Sequence, residues 1–172
     1  SLVAGSGSTD NASFNISGNQ LRATNPGAIA AGSRSVRIRT TDNGSGSLTF
    51  EKEFTIAVTD DVAPTATIVV ADTALAVGET SLVTFTFNEA VTGFTNADLT
   101  TANGTLSAVS SSNGGITWTA TFTPTASITD ATNVITLDNT GVTDAAGNAG
   151  TGTTDSNNYA IDSVRPTASI VV

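Results

Sequence analysis

Residues Val62-Ala63-Pro64-Thr65-Ala66-Thr67-Ile68-Val69-Val70 return, slightly altered, as Val164-Arg165-Pro166-Thr167-Ala168-Ser169-Ile170-Val171-Val172, an offset of 102 residues. Asp60 maps onto Asp162 at the same offset. A period of this length implies tandem modules, each repeat being one packing unit. The chain reads as three parts: residues 1–61, a whole module over residues 62–163, and residues 164–172 as the first strand of a further repeat. The length of 172 residues agrees, since single domains mostly run about 100–150 residues.

What such a module folds into follows from its residue types. Only 38% of the chain is apolar, and much of the remainder is Thr, Ser, Gly and Asn. Thr and Val suit a pleated surface, whereas Gly, Asn and Asp supply turns. Strands are predicted over Thr65–Val70, Ser81–Asn88, Ile116–Thr123, Val134–Asp138 and Asn157–Asp162, with two more inside Asp98–Ser110. The second places Val83, Phe85 and Phe87 on one face and Leu82, Thr84 and Thr86 on the other. The third directs Ile116, Trp118, Ala120 and Phe122 inward and leaves Thr117, Thr119, Thr121 and Thr123 outside. Turn signals stand at Asn103-Gly104, Asn113-Gly114-Gly115 and Gly147-Asn148. About seven short strands in roughly 100 residues describe an immunoglobulin-like sandwich. The fold class is all-β, with tandem β-sandwich modules. In residues 1–61 the alternations Phe14/Ile16, Val36/Ile38/Thr40 and Phe54/Ile56/Val58 supply four or five strands. These are too few to close a sandwich, so the first module is incomplete.

Composition also excludes functions. There is no Cys, Met or His, so thiol nucleophiles, thiolate metal sites and the usual neutral-pH base are all missing. No Gly-rich loop precedes a helix, and one Trp and one Tyr do not furnish an aromatic cleft for glycoside hydrolysis. The chain is read as not an enzyme. No stretch approaches the ~20 apolar residues of a membrane span. The chain does not begin with Met and shows no signal peptide, which reads as an interior piece of a longer protein.

The net charge of −9 is unevenly spread. Residues 1–61 hold Arg22, Arg34, Arg37, Arg39 and Lys52 against six acids, whereas residues 62–163 hold nine acids and neither Lys nor Arg. Carboxylates that cluster there must be spread apart, protonated or neutralised by an outside cation. The acidity also argues against nucleic acid as a partner.

The residues of the middle module resemble the bacterial Ig-like repeats of giant surface adhesins. The resemblance is carried by Ala63-Pro64-Thr65, Phe85-Thr86-Phe87-Asn88-Glu89-Ala90-Val91, Phe94-Thr95-Asn96-Ala97-Asp98-Leu99, Thr143-Asp144-Ala145-Ala146-Gly147-Asn148 and Tyr159-Ala160-Ile161-Asp162. Residues 1–61 resemble the later part of a cadherin-like repeat through Phe14–Leu21, Val36–Gly44 and Phe54–Asp61. The stretch Ala28-Ile29-Ala30-Ala31-Gly32 lacks the carboxylate such repeats place there. These resemblances imply a secreted protein at the bacterial cell surface, a role in adhesion or spacing, and rigidity that depends on calcium.

In an Ig-like topology the exit of the second strand, the loop before the last strand and the incoming linker meet at one pole. Here those places hold Glu89, Asp144 with Asn148, and Asp60 with Asp61. Calcium takes six to eight hard oxygen ligands in flexible geometry, and this set is its candidate site. The plainer alternative makes Asp144 and Asn148 Asx-turn formers and Asp60-Asp61 a solvated linker. At the opposite pole Asp162, together with Asp130, is expected to offer half of a further calcium site shared with the next module. The outward Thr row and the triplets Asn11-Ala12-Ser13, Asn43-Gly44-Ser45 and Asn103-Gly104-Thr105 read as ordinary surface.

The function expected is a calcium-stiffened repeat that acts as a spacer, extending a distal binding domain. The alternative is a module that itself binds a glycan or protein ligand in cell adhesion. Expected partners are neighbouring repeats of the same chain and, through other domains, a host or biofilm surface. Head-to-tail self-association, one molecule's final strand filling another's first module, is a further expectation.

Overall fold

Alternating β-branched and aromatic residues give this chain strands and little else. The computed structural model describes residues 1–25 and 29–171. Ala28 of the Ala28–Gly32 stretch and Val172 of the terminal repeat lie outside them. The chain forms two compact units, Ser1–Asp60 and Asp61–Val172.

The first unit contains a hairpin of β1 (Phe14–Ser17) and β2 (Gln20–Ala23), turned through Gly18 at a φ of 62°. A longer ribbon follows, β3 (Gly32–Thr41) with β4 (Thr49–Val58), antiparallel in unbroken register from Gly32–Val58 to Thr41–Thr49. The N-terminal segment runs along the other side of β3, where Val3 N–H donates to Arg37 O and Arg39 N–H to Ser1 O. Arg37 and Arg39 both hold Glu51, at 2.9 and 2.6 Å, and their hydrogen bonds keep its carboxyl below the usual range. Among the described residues of this unit, Val36 is its one large buried hydrophobe. The first unit is a thin layer rather than a filled sandwich.

The second unit is filled. Its strands are β5 (Ala66–Val70), β6 (Ala74–Ala76), β7 (Ser81–Phe87), β8 (Val91–Thr92), β9 (Leu99–Thr101), β10 (Gly104–Leu106), β11 (Ser110–Ser111) and β12 (Thr117–Pro124). They continue as β13 (Thr129–Asn133), β14 (Ile135–Asp138), β15 (Thr143–Asp144), β16 (Thr153–Asp155) and β17 (Tyr159–Asp162). One layer has the order β10-β12-β7-β5, with β11 also on β12. The other is built from β13-β17-β6 and β16-β14-β9, joined by the chain itself, β13 to β14 through Val134 and β16 to β17 through 156–158. The first strand therefore divides its pairing. β5 lies antiparallel to β7, and after a short turn β6 lies parallel to β17.

The predicted alternation of the second strand appears in β7, where Val83, Phe85 and Phe87 are buried and Leu82 is exposed. Phe94 anchors this end of the core, its ring edge-to-face with Phe85, Phe87 and Trp118 at 5.2, 5.5 and 5.4 Å. At the other end Phe122 of β12 meets Tyr159 of β17 at 5.0 Å, so an aromatic pair ties layer to layer. Two expectations need correction. Ile116, predicted inward, is 41% exposed: its carbonyl still accepts from Phe87 N–H at 2.9 Å, but it stands at the very end of the ladder beside the Asn113–Gly115 turn, and β12 begins one residue later. The terminal repeat, predicted as a strand, has none among residues 164–171. Its apolar sequence matches β5, but no neighbouring strand pairs with it there, and Ile170 and Val171 are 89% and 94% exposed.

Tyr159 is fully buried and its hydroxyl is left without a hydrogen-bond partner. Burial pushes its pKa up to about 12. A buried hydroxyl with no partner costs its hydration on folding. Tyr159→Phe is therefore expected to raise stability by about 1 kcal/mol, read from urea denaturation; a destabilised variant would mean that the hydroxyl is satisfied in solution.

Candidate metal centre

Asn88, Glu89 and Ala90 follow β7 directly, and the local hydrogen bonds explain how they are held. The Asn88 carboxamide oxygen accepts from Thr65 N–H at 2.6 Å, and Asn88 N–H donates to Thr65 O at 3.1 Å. The first residues of the sandwich are thus clamped to the end of its second strand. The Asn88 amide also donates to Glu89 Oε1 at 3.2 Å. Two residues later β8 pairs with β15 in a register that sets Val91 opposite Asp144. Glu89 and Asp144 meet because β8 carries the chain from one to the other.

Asp144 is 4% exposed and is wrapped by its own turn. Its Oδ1 accepts from Asn148 N–H at 2.8 Å and its Oδ2 from the Asn148 side-chain amide at 2.7 Å. Asp144 N–H returns a bond to Asn148 O at 3.1 Å. Burial pushes the Asp144 carboxyl up, but donation from the Asn148 amide and from the backbone of Asn148, Gly147 and Ala146 outweighs it. The group stays below the usual carboxylate range, charged although enclosed.

One carboxylate oxygen from each of Asp60, Glu89 and Asp144 lies within 4.8 Å of the other two. Asp60 and Glu89 are half-buried and Asp144 is buried. Ligands of one calcium ion sit at about 2.3–2.6 Å from it, so two of them lie at most about 5 Å apart. The donor set fits: three hard, anionic oxygens, with neither Lys nor Arg in residues 62–163 to compete for them. The bonds Asp144 already accepts do not exhaust it, since a carboxylate offers about four lone-pair sites. Backbone carbonyls and water would have to complete a shell of six to eight.

The other candidates fall elsewhere. Asp61 is exposed and outside the trio. Asn148 turns its amide N–H group toward Asp144 and holds that carboxylate in place, so the Asx turn and the trio coexist at one residue. Asp162 is exposed and accepts from Thr129 Oγ1 at 3.1 Å and Val164 N–H at 3.4 Å. Asp130 accepts from the Asn103 amide and from Thr132 N–H, both at 2.9 Å. Among the described residues no third carboxylate joins Asp130 and Asp162. Sequence reasoning passed over Asn88; an Asn directly before Glu89 at a strand end was its only signal.

The family model described as the bacterial Ig-like domain matches residues 60–161, well over half of the chain. The chain belongs to the bacterial Ig-like family. The match begins at Asp60, and residues 1–59 lie outside it. No curated protein and no solved structure matches the chain. Bacterial Ig-like domains are repeat modules of surface proteins, typically extracellular and typically non-catalytic. Among the described residues no helix is long and apolar enough to cross a membrane.

The Asn88 clamp generates a prediction. Asn88→Ala is expected to destabilise the Ig-like module by about 1 kcal/mol, since it removes an acceptor from Thr65 N–H and a donor from Glu89. Chemical denaturation in the presence of a chelator measures this; an unchanged midpoint would show that the module's opening segment is held by other contacts.

Proposed function

We propose that this chain is a calcium-stiffened spacer of a bacterial surface adhesin, carrying a distal binding domain away from the cell. The observation that carries the reading is the trio Asp60, Glu89 and Asp144, three acids with oxygens within 4.8 Å, one at the start of the family match, one just after β7 and one at the end of β15. An ion held there would tie the incoming chain to the sandwich. That bond would stiffen a run of modules and oppose the unfolding of each one, because a ligand stabilises the state that binds it. The surface supports a spacer over a ligand-binding module. Tyr159 is fully buried and Trp118 packs its ring against Phe94, so neither ring is laid flat on the outside as a platform for sugar.

Thermal unfolding with excess chelator and with millimolar calcium tests the reading. At free calcium near a hundred times Kd, binding adds about 2.7 kcal/mol, which for a sandwich of this size is a rise on the order of 10 °C in Tm. Glu89→Gln and Asp144→Asn are each expected to shrink that calcium-dependent rise, whatever they do to the baseline. A parent protein whose Tm ignores calcium would remove the ion from the proposal and leave an acidic spacer without it.

A further inference from the structure

Two sheet edges of this protein are finished differently. In the sandwich the Asn157 side chain occupies the outer edge of β5, bonding Val70 N–H at 2.8 Å and Val70 O at 3.1 Å. β4 has no such guard. It runs for ten residues without proline or register shift, and among the described residues no strand pairs with its far side. Long, regular edges of this kind recruit other strands.

The phase of the ladder tells which backbone groups that edge offers. Asp42 N–H donates to Leu48 O at 3.0 Å, which makes this a hydrogen-bonded pair. Every second pair below it, from Thr40–Phe50 to Arg34–Ile56, then has the same character. The odd-numbered residues of β3 agree, since Ser35, Arg37 and Arg39 bond the N-terminal segment instead. On β4, accordingly, Glu51, Glu53, Thr55 and Ala57 direct N–H and C=O outward. Beside them Phe50 and Phe54 are 66% and 42% exposed, and Leu48 is 73% exposed.

We propose that this edge pairs antiparallel with β4 of a second copy of the chain, about a two-fold axis at Phe54. Charge and pairing length together select the register: an axis at Thr55 also avoids like charges but pairs only Lys52 through Val58 of β4. An axis at Glu53 sets Glu53 against its own copy; an axis at Lys52 opposes Lys52 to Lys52 and Glu51 to Glu53. Like charges directly opposite one another destabilise a sheet. The axis at Phe54 keeps Phe50 through Val58 paired with no like charges directly opposite. Phe54 meets Phe54, Phe50 meets Val58 and Lys52 meets Ile56 on the apolar face, while Glu51 meets Ala57 and Glu53 meets Thr55 on the other. The contact is self-complementary, so it closes as a dimer and does not propagate.

Light scattering after size exclusion reads the mass directly. A micromolar edge contact is mostly paired at about 100 µM, so twice the monomer mass is expected there; a monomer overturns the proposal. Thr55→Pro removes an outward N–H that the β3–β4 ladder does not use. It is expected to weaken the dimer by about tenfold or more, with far-UV dichroism unchanged and Tm unchanged at dilution where both proteins are monomeric. Undiminished pairing in a folded Thr55→Pro variant would overturn it. The chain has no cysteine, so Phe54→Cys places one thiol on the axis, in a pair with Cα atoms about 4.5 Å apart and within disulfide reach. Oxidation is expected to link Phe54→Cys and not Lys52→Cys; the reverse would overturn the register. Ile170→Asp combined with Val171→Asp should leave the dimer intact. Loss of association in that variant would assign the contact to the C-terminal segment, head to tail, and overturn the β4 pairing.

Discussion

Residues 62–163 place nine carboxylates in one sandwich with neither lysine nor arginine among them, and much of the local architecture is a response to that constraint. Without cations the acids can be stabilised only by neutral donors, and the turns and one strand pair supply them. Asp72 accepts from Ala74 N–H, Glu79 from Ala76 N–H, Asp98 from Thr95 and Asp155 from Thr136. Asp138 takes both the hydroxyl and the N–H of Thr140, which together hold its pKa below the usual carboxylate value. Most of these bonds close a turn, while that of Asp155 spans the β14–β16 pair. The abundance of Thr and Asn follows from this, since both donate without carrying charge. Among the described residues, only Asp60, Glu89 and Asp144 form a group of three acids with oxygens drawn together, and that exception marks the candidate site.

Most of the sandwich was readable because its strands are half-buried and strictly alternating. Ser81–Asn88 and the later part of Ile116–Thr123 each show one face in the core, and a period of two admits few other readings. The acid trio was readable for a different reason: Ig-like connectivity brings the exit of the second strand and the turn before the last strand to one pole, and those places hold Glu89 and Asp144. What escaped were features decided by partners rather than by pattern. Ile116 continues the alternation of β12 but stands at the open end of its ladder. Ser169–Val171 repeats a strand sequence, yet a strand exists only when another lies beside it. Asn88 and Asn157 act through single side-chain bonds to distant backbone, Thr65 in one case and Val70 in the other, and Asn is too common in this chain for either to stand out.

The two units differ in how completely they are built. The Ig-like module buries apolar residues from both layers and covers a sheet edge with a side chain. The first unit rests on one ribbon, a small hairpin and the ion pairs of Glu51, with Val36 as its enclosed aliphatic centre. Exposed carboxylate–guanidinium pairs add little by themselves, so the ribbon depends mainly on its ladder. A unit of this kind gains more than a filled sandwich does from anything that adds a strand or covers a face.

The parallel contact between β6 and β17 bears on how the module responds to tension. Pulling draws on the start of the sandwich and on its end, which are the strands that lie side by side and point the same way. Their backbone bonds are then loaded in shear, all together, rather than peeled one after another from an open end. A three-residue ladder, Ala74–Ala76 against Ala160–Asp162, thereby acts as the latch that must slip before the hydrophobic layers can separate.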